Sequence, residues 1–138
     1  MIYLDTSALV KLLVAEQESA ALASWLGQHP GMWLTSTITE VELPLAAGRY
    51  KLAPDAADHL LERMSLVEMA AEIRRSAASY GSLGLRALDA IHVASAHSIQ
   101  SETLTVPVVT YDHRMAAACR ALDLDVISPG SPRPAPIE

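Results

Sequence analysis

MIYLDTSALVKLL, residues 1–13, decides the fold. Ile2, Tyr3 and Leu4 are a short apolar run with no polar alternation, the pattern of a strand buried on both faces. Asp5 stops the run. Thr6 and Ser7 follow, and Ala8 to Leu13 then reads as a helix. A strand that feeds a helix at once is the opening of an α/β unit. A carboxylate at the end of a buried strand is costly unless it is hydrogen-bonded, paired or bound to a metal.

Outward from that stretch, strand-like and helical patterns alternate. Ser19 to Leu26 has helical spacing and ends at His29-Pro30-Gly31. Met32 to Thr35 reads as a second strand, after which Ser36 or Thr37 is expected to cap a helix running toward Tyr50. Pro44 lies inside that helix and is expected to kink it. Pro54-Asp55 starts another helix, Val67 belongs to a short strand, and Ala70 to Tyr80 is helical before a Gly81–Gly84 loop. Leu88 to Ile99 is a strong helix, Val106 to Thr110 a strand, His113 to Leu122 a helix, and Asp125 to Ile127 a last short strand. Alternation of this kind implies one α/β domain: a central, mostly parallel sheet flanked by helices.

The bulk composition limits the function classes. The chain has 138 residues, is 51% hydrophobic and contains no Phe, which suits one helix-rich domain with a sizeable core. The single cysteine, Cys119, rules out an internal disulfide and a multi-cysteine zinc site, and it reads as a small buried hydrophobe. A formal net charge of -6 argues against a general electrostatic nucleic-acid binder. With no membrane-length apolar run and no signal-like start, the chain is expected to be cytoplasmic and free of membrane contacts.

The chemistry is expected at the carboxyl ends of the strands, where such sheets open a ligand crevice. Asp5 ends the first strand, and Asp112 follows the strand in VPVVTYD. Glu40 and Glu42 come soon after the second strand, and Asp89 sits in the apolar helix LRALDAIHVASA, on a face with His92, Val93 and Ala96 opposite Leu88, Ile91 and Ser95. Taken singly, Asp5, Asp89 and Asp112 are each explained by helix capping. Capping does not explain Glu42, and several acids at one crevice repel unless a cation lies among them. An all-oxygen ligand set favours magnesium or manganese over zinc.

Four blocks, MIYLDTSALVKLL, TSTITEVEL, LRALDAIHVASA and VVTYDHRM, resemble in order those of the PIN-domain ribonucleases, and most of all the toxin half of bacterial VapBC toxin–antitoxin pairs. The resemblance spans residues 1–130 as a PIN-like nuclease domain and leaves 131–138 as a proline-rich tail. It implies a magnesium-dependent endoribonuclease, with manganese as a substitute, that leaves a 5′-phosphate without a covalent intermediate. It implies Asp5, Glu42, Asp89 and Asp112 as the catalytic acids. Asp5, Asp89 and Asp112 would be metal ligands, and Glu42 would be a water-holding residue or general base. Thr6 and Thr110 are expected to hydrogen-bond these carboxylates, or else to cap and turn the chain. A small VapB-like antitoxin and a toxin homodimer are the implied partners, with RNA as substrate.

Of the basic residues, Arg49, Lys51, Arg86 and Arg114 are candidate RNA-phosphate contacts, with surface solvation as the alternative. His92, one turn after Asp89, reads as core packing with a satisfied ring rather than as a metal ligand, and His113 is a weaker crevice candidate. Trp25, Trp33 and Tyr50 read as core or interface. Two other classes stay open: a catalytically silent PIN-like binding module, and an aspartate-based phosphatase or phosphoacceptor domain. Haloacid-dehalogenase-like enzymes need a second Asp where this chain has Ser7, which counts against the phosphatase reading.

Overall fold

Ile2, Tyr3 and Leu4 are all buried and form the middle strand of a five-stranded sheet. The computed structural model describes residues 1–132. In chain order the elements are β1 (Ile2–Leu4), α1 (Thr6–Leu13), α2 (Ser19–Gln28), β2 (Trp33–Ser36), α3 (Thr39–Arg49), α4 (Ala56–Leu61), β3 (Ser65–Val67), α5 (Ala71–Ala78), a 3-10 turn (Gly81–Leu83), α6 (Ala87–Ser98), β4 (Val108–Val109), α7 (His113–Ala121) and β5 (Val126–Ile127). The strand order is β3-β2-β1-β4-β5. Every pairing is parallel, with Tyr3 opposite Leu34 on one side and Val108 on the other.

The two-residue period of β1 divides the core between the faces of the sheet. Ile2 and Leu4 pack with Ala8, Leu9, Leu22, Leu26, Leu43 and Leu60, from α1 to α4. Tyr3 points the other way and packs with Val93, Ala96, Met115 and Cys119, from α6 and α7. Helices on both faces leave the strands dry and explain why β1 has no polar residue before Asp5.

Several boundaries differ from the sequence expectation for local reasons. Neither Ser36 nor Thr37 caps α3; Ile38 takes that position. The Ser36 hydroxyl accepts from the Ile38 amide at 3.2 Å, and the Thr37 hydroxyl accepts from the Met69 amide at 3.3 Å. The strand expected over Val106–Thr110 shortens to Val108–Val109. The Val106 amide is taken by the Gln100 side chain at 2.9 Å, and Pro107 has no amide proton. The Gly81–Gly84 loop holds a 3-10 turn, ended by Gly84 at φ 67°. α3 continues through Pro44 as one element. Ser95 is buried, and its hydroxyl donates to the Ile91 carbonyl at 2.7 Å. Residues 133–138 of the expected tail lie outside the described residues.

Candidate active site

β1 and β4 are neighbours in the sheet although α1 to α6 separate them in sequence. The chain winds outward from β1 through β2 to β3, then crosses back to β4 and β5. The gap beyond the carboxyl ends of β1 and β4 is therefore the topological switch point, the usual ligand crevice of such a sheet.

Asp5 stands at that point. It is buried and caps α1. Its Oδ1 accepts from the Ala8 amide at 2.9 Å and the Ser7 hydroxyl at 2.7 Å, and its Oδ2 accepts from the Thr110 hydroxyl at 2.6 Å. Burial pushes its pKa up, and the opposing His92 charge and the three hydrogen bonds do not bring it back to the ordinary value.

Glu42 reaches the site from the first turn of α3 and is half-buried. Its Oε1 accepts from the Thr6 hydroxyl at 2.8 Å and lies 2.7 Å from His92 Nε2. Among the described residues no hydrogen bond reaches its Oε2. Burial pushes Glu42 upward, but the His92 hydrogen bond and charge, with the Thr6 hydroxyl, outweigh it, and the net pKa is lowered. Glu40, two residues earlier, is exposed on α3.

Asp89 lies in the first turn of α6, whose N-cap is Arg86, so Asp89 is not the cap. It is half-buried and makes no hydrogen bond among the described residues. Its pKa is raised by burial first, then by the charges of Asp112, Asp5 and Glu42, with His92 opposing. Asp112 caps α7: its Oδ1 accepts from the Met115 amide at 2.8 Å. Its own amide donates to the Thr110 hydroxyl at 3.1 Å. Asp5 and Asp112 thus cap helices and also enter the electrostatic field of Asp89, so capping and crevice placement coexist.

All the acid donors are oxygens, which fits magnesium or manganese. Among the described residues no group of three His, Cys, Asp or Glu side chains is close enough to hold an ion. Magnesium commonly binds one or two protein carboxylates and keeps several waters, so the donor chemistry and this spacing are compatible.

A family model described as PIN domain matches residues 2–121. The chain belongs to the PIN-domain family. It is similar to Ribonuclease VapC35 of Mycobacterium tuberculosis, 45% identical with 96% of this chain and 100% of that protein covered. It is also similar to Ribonuclease VapC47 of the same organism, 38% identical with 96% and 100% covered. These identities make it a VapC-type member of the PIN-domain family. In fold it is similar to a toxin–antitoxin complex from Klebsiella pneumoniae, with a TM-score of 0.72, 20% identity, and 94% of this chain and 98% of that chain covered. M. tuberculosis VapC20, described as a sarcin–ricin loop cleaving toxin, gives a TM-score of 0.69 at 16% identity, with 86% and 95% covered.

Around the four acids of this PIN domain, two residues outside the expected site make direct contacts. Ser7 donates to Asp5, and its Oγ also accepts from the Tyr111 amide at 2.9 Å. His92 is buried with both ring nitrogens satisfied, but Glu42 is one of the partners. The available signals were weak: a hydroxyl two residues after Asp5, and an imidazole one helical turn after Asp89 on the same buried face.

The basic candidates stay at the periphery. Arg49, Lys51, Arg86 and Arg114 are exposed, and among the described residues none forms an ion pair with the acids. Arg49 borders a cavity of about 420 Å³ shared with Ser7, Lys11, Tyr50 and Tyr111. Lys11 is held by Glu18 at 2.8 Å and Glu16 at 3.3 Å, with its ammonium 4.8 Å from the centre of the Tyr111 ring. Tyr50 is exposed, which removes the core half of the core-or-interface reading. Trp25 is half-buried and stacks on His29, and Trp33 is half-buried beneath Arg63. His113 is exposed at the start of α7.

Proposed function

We propose that this protein is a divalent-metal-dependent endoribonuclease, the toxin half of a toxin–antitoxin pair. The observation that supports this reading most directly is Asp89. It is half-buried, makes no hydrogen bond among the described residues, and has its pKa raised by burial first and then by the charges of Asp112, Asp5 and Glu42, with His92 opposing. A fold rarely assembles such mutual repulsion without a cation to offset it. The full-length likeness to proteins named as ribonucleases supports the choice of substrate.

In this proposal Asp5 and Asp89 would hold the ion, with Asp112 completing the site directly or through water. Magnesium, when bound, offsets charge on the phosphodiester and lowers the cost of deprotonating water. The Ser7 and Thr110 hydroxyls and the Ala8 amide fix the Asp5 carboxylate before substrate arrives. Glu42 is kept ionised by His92 and Thr6, and its Oε2 takes the proton of the attacking water as general base. Hydrolysis then leaves a 5′-phosphate with no covalent intermediate. In this proposal the exposed side chains of Arg49, Lys51, Arg86 and Arg114 are the contacts to RNA phosphates. No helix among the described residues is long and apolar enough to cross a membrane, and we place the activity in the cytoplasm, with the toxin stored as a homodimer bound to a small VapB-like antitoxin.

The test is RNA cleavage by purified protein. Magnesium or manganese should support cutting and EDTA should stop it, and the ends should carry 5′-phosphates. Coexpression with the neighbouring small reading frame should yield a complex and relieve growth inhibition. Cleavage that persists in EDTA, or none with either metal on any cellular RNA, overturns the reading.

A further inference from the structure

The contact between Glu42 and His92 joins residues 50 positions apart. His92 is buried on α6, and its ring spans from the sheet core to the site. On one side Nδ1 lies 2.8 Å from the Tyr3 hydroxyl, with the two rings edge-to-face at 75°. On the other, Nε2 lies 2.7 Å from Glu42 Oε1 and 3.2 Å from the Thr6 hydroxyl. Tyr3 itself is fully buried in β1. Its phenol both donates and accepts, so it can serve either protonation state of the ring nitrogen it faces.

These partners restrict where the protons sit. Glu42 offers only lone pairs when ionised, so Nε2 must bear hydrogen or two lone pairs would face each other at 2.7 Å. With Nε2 protonated, Nδ1 accepts from Tyr3 if the ring is neutral and donates to the Tyr3 oxygen if it is cationic. Only the neutral Nδ1–H tautomer is excluded. Both donors, Nε2–H and the Thr6 hydroxyl, converge on Oε1. That fixes the carboxylate's position while leaving Oε2 free among the described residues.

We infer that His92, braced from behind by Tyr3, is a positioning residue that holds Glu42 by one oxygen so that the other faces the reaction. This rests on the ribonuclease reading for its catalytic consequence, but the contact can be measured without activity. Outer partners of this kind cost roughly 10–100-fold in activity when removed. Gln can place an amide N–H where Nε2 stands, whereas Phe fills the space with no donor. Tyr3→Phe keeps the ring but removes the brace.

The experiment is a double-mutant cycle read as the cleavage rate at saturating RNA in magnesium, with thermal unfolding to confirm folding. His92→Phe should lose roughly 10–100-fold and His92→Gln less, with Tyr3→Phe between Gln and wild type. In a Glu42→Gln background, adding His92→Phe should cost under about twofold, because a residue acting through Glu42 has nothing left to position. An equal, additive loss in both backgrounds overturns the inference, as does His92→Gln losing as much as His92→Phe while folded. Carbon-13 NMR of the Glu42 carboxyl gives the independent readout. Its pKa should rise in His92→Phe and move less in His92→Gln. An unchanged titration overturns the positioning contact even if the protein cuts RNA. A shifted titration in a protein that cuts nothing keeps the contact and removes the nuclease reading beneath it.

Discussion

Asp5 takes its hydrogen bonds from two hydroxyls and a backbone amide at the end of a strand, whereas Glu42 takes its bonds from a hydroxyl and an imidazole on the side of a helix. Asp5 is buried with both oxygens engaged, and its pKa goes up. Glu42 is half-buried with one oxygen engaged, and its pKa goes down. The His92 charge and three neutral donors do not offset the full burial of Asp5, while the His92 hydrogen bond and charge, with the Thr6 hydroxyl, do offset the partial burial of Glu42. The difference suits different tasks. An acid whose ionised form is strained gains most from a cation, and an acid held ionised at neutral pH has a lone pair available to a water, as a weaker base than an ordinary carboxylate.

The largest effect should come from removing the strained acid. Asp5→Asn keeps the size, and Asn can still accept from the Ala8 amide and Ser7, so the circular-dichroism spectrum should not change. RNA cleavage should fall by more than the roughly 10–100-fold typical of an outer partner. Full activity in this variant would remove Asp5 from the site.

Next comes the helix-borne acid against its neighbour. Glu40 and Glu42 are two residues apart, so on a helix they point about 200° apart. Glu42→Gln should cost roughly 10²–10⁴-fold as loss of a general base, and Glu40→Gln should leave the rate within about twofold. The reverse ranking would mean that α3 presents the other carboxylate to substrate.

A smaller effect should appear in stability. Thr110→Val removes the donor to Asp5 Oδ2 while keeping side-chain shape. It should cost about 1–3 kcal/mol, because a buried acceptor is left unpaired. Thr6→Val should cost less, because Glu42 is half-buried and keeps His92. Urea unfolding of both variants at neutral pH ranks them, and equal losses would erase the contrast between the two supports.

The smallest effect is in pH dependence, and here the two acids oppose each other. The raised pKa values of Asp5 and Asp89 mean that their ionised forms cost stability above those values, and the cost disappears as pH falls through them toward the ordinary carboxylate range. The lowered pKa of Glu42 means a stabilising contribution that is present above its ordinary value and is lost only as pH falls through the lower, folded one. From pH 7 toward about 5 the metal-free protein should therefore gain stability, before general acid unfolding intervenes. Melting scans in EDTA check this. Asp89→Asn should flatten the rise and Glu42→Gln should keep it.

Much of this was legible in MIYLDTSALVKLL because a buried strand, its terminal acid and the next helix are contiguous there. The same holds for Asp112 after β4 and for Asp89 on the apolar α6. Thr6 and Thr110 were legible as hydrogen-bond donors to the carboxylates, and they bond Glu42 and Asp5. The Ser7 and His92 supports were not, and His92 joins distant parts of the chain, reaching Glu42 across 50 residues. A His on an apolar helix face is consistent with simple packing, and only the approach of α3 to α6 turns its second nitrogen toward an acid. Boundaries failed where side chains replaced the backbone pattern. The Gln100 amide ends the β4 ladder at Val106, and the Ser36 hydroxyl turns the chain before α3 instead of capping it.

The central claim is that the four acids form one charge-coupled cluster that a divalent cation offsets. Asp89 is the cleanest probe, since Asp112 also caps α7 and Asp5 also caps α1, while Asp89 does neither. The measurement is thermal unfolding of wild type and Asp89→Asn, in EDTA and in magnesium. In EDTA the variant should melt higher than wild type because one repelling charge is gone. Magnesium should raise the melting temperature of wild type by mass action and shift the variant much less. A variant that melts lower than wild type in EDTA, with magnesium shifting both proteins equally, would contradict the shared cation site and the function built on it.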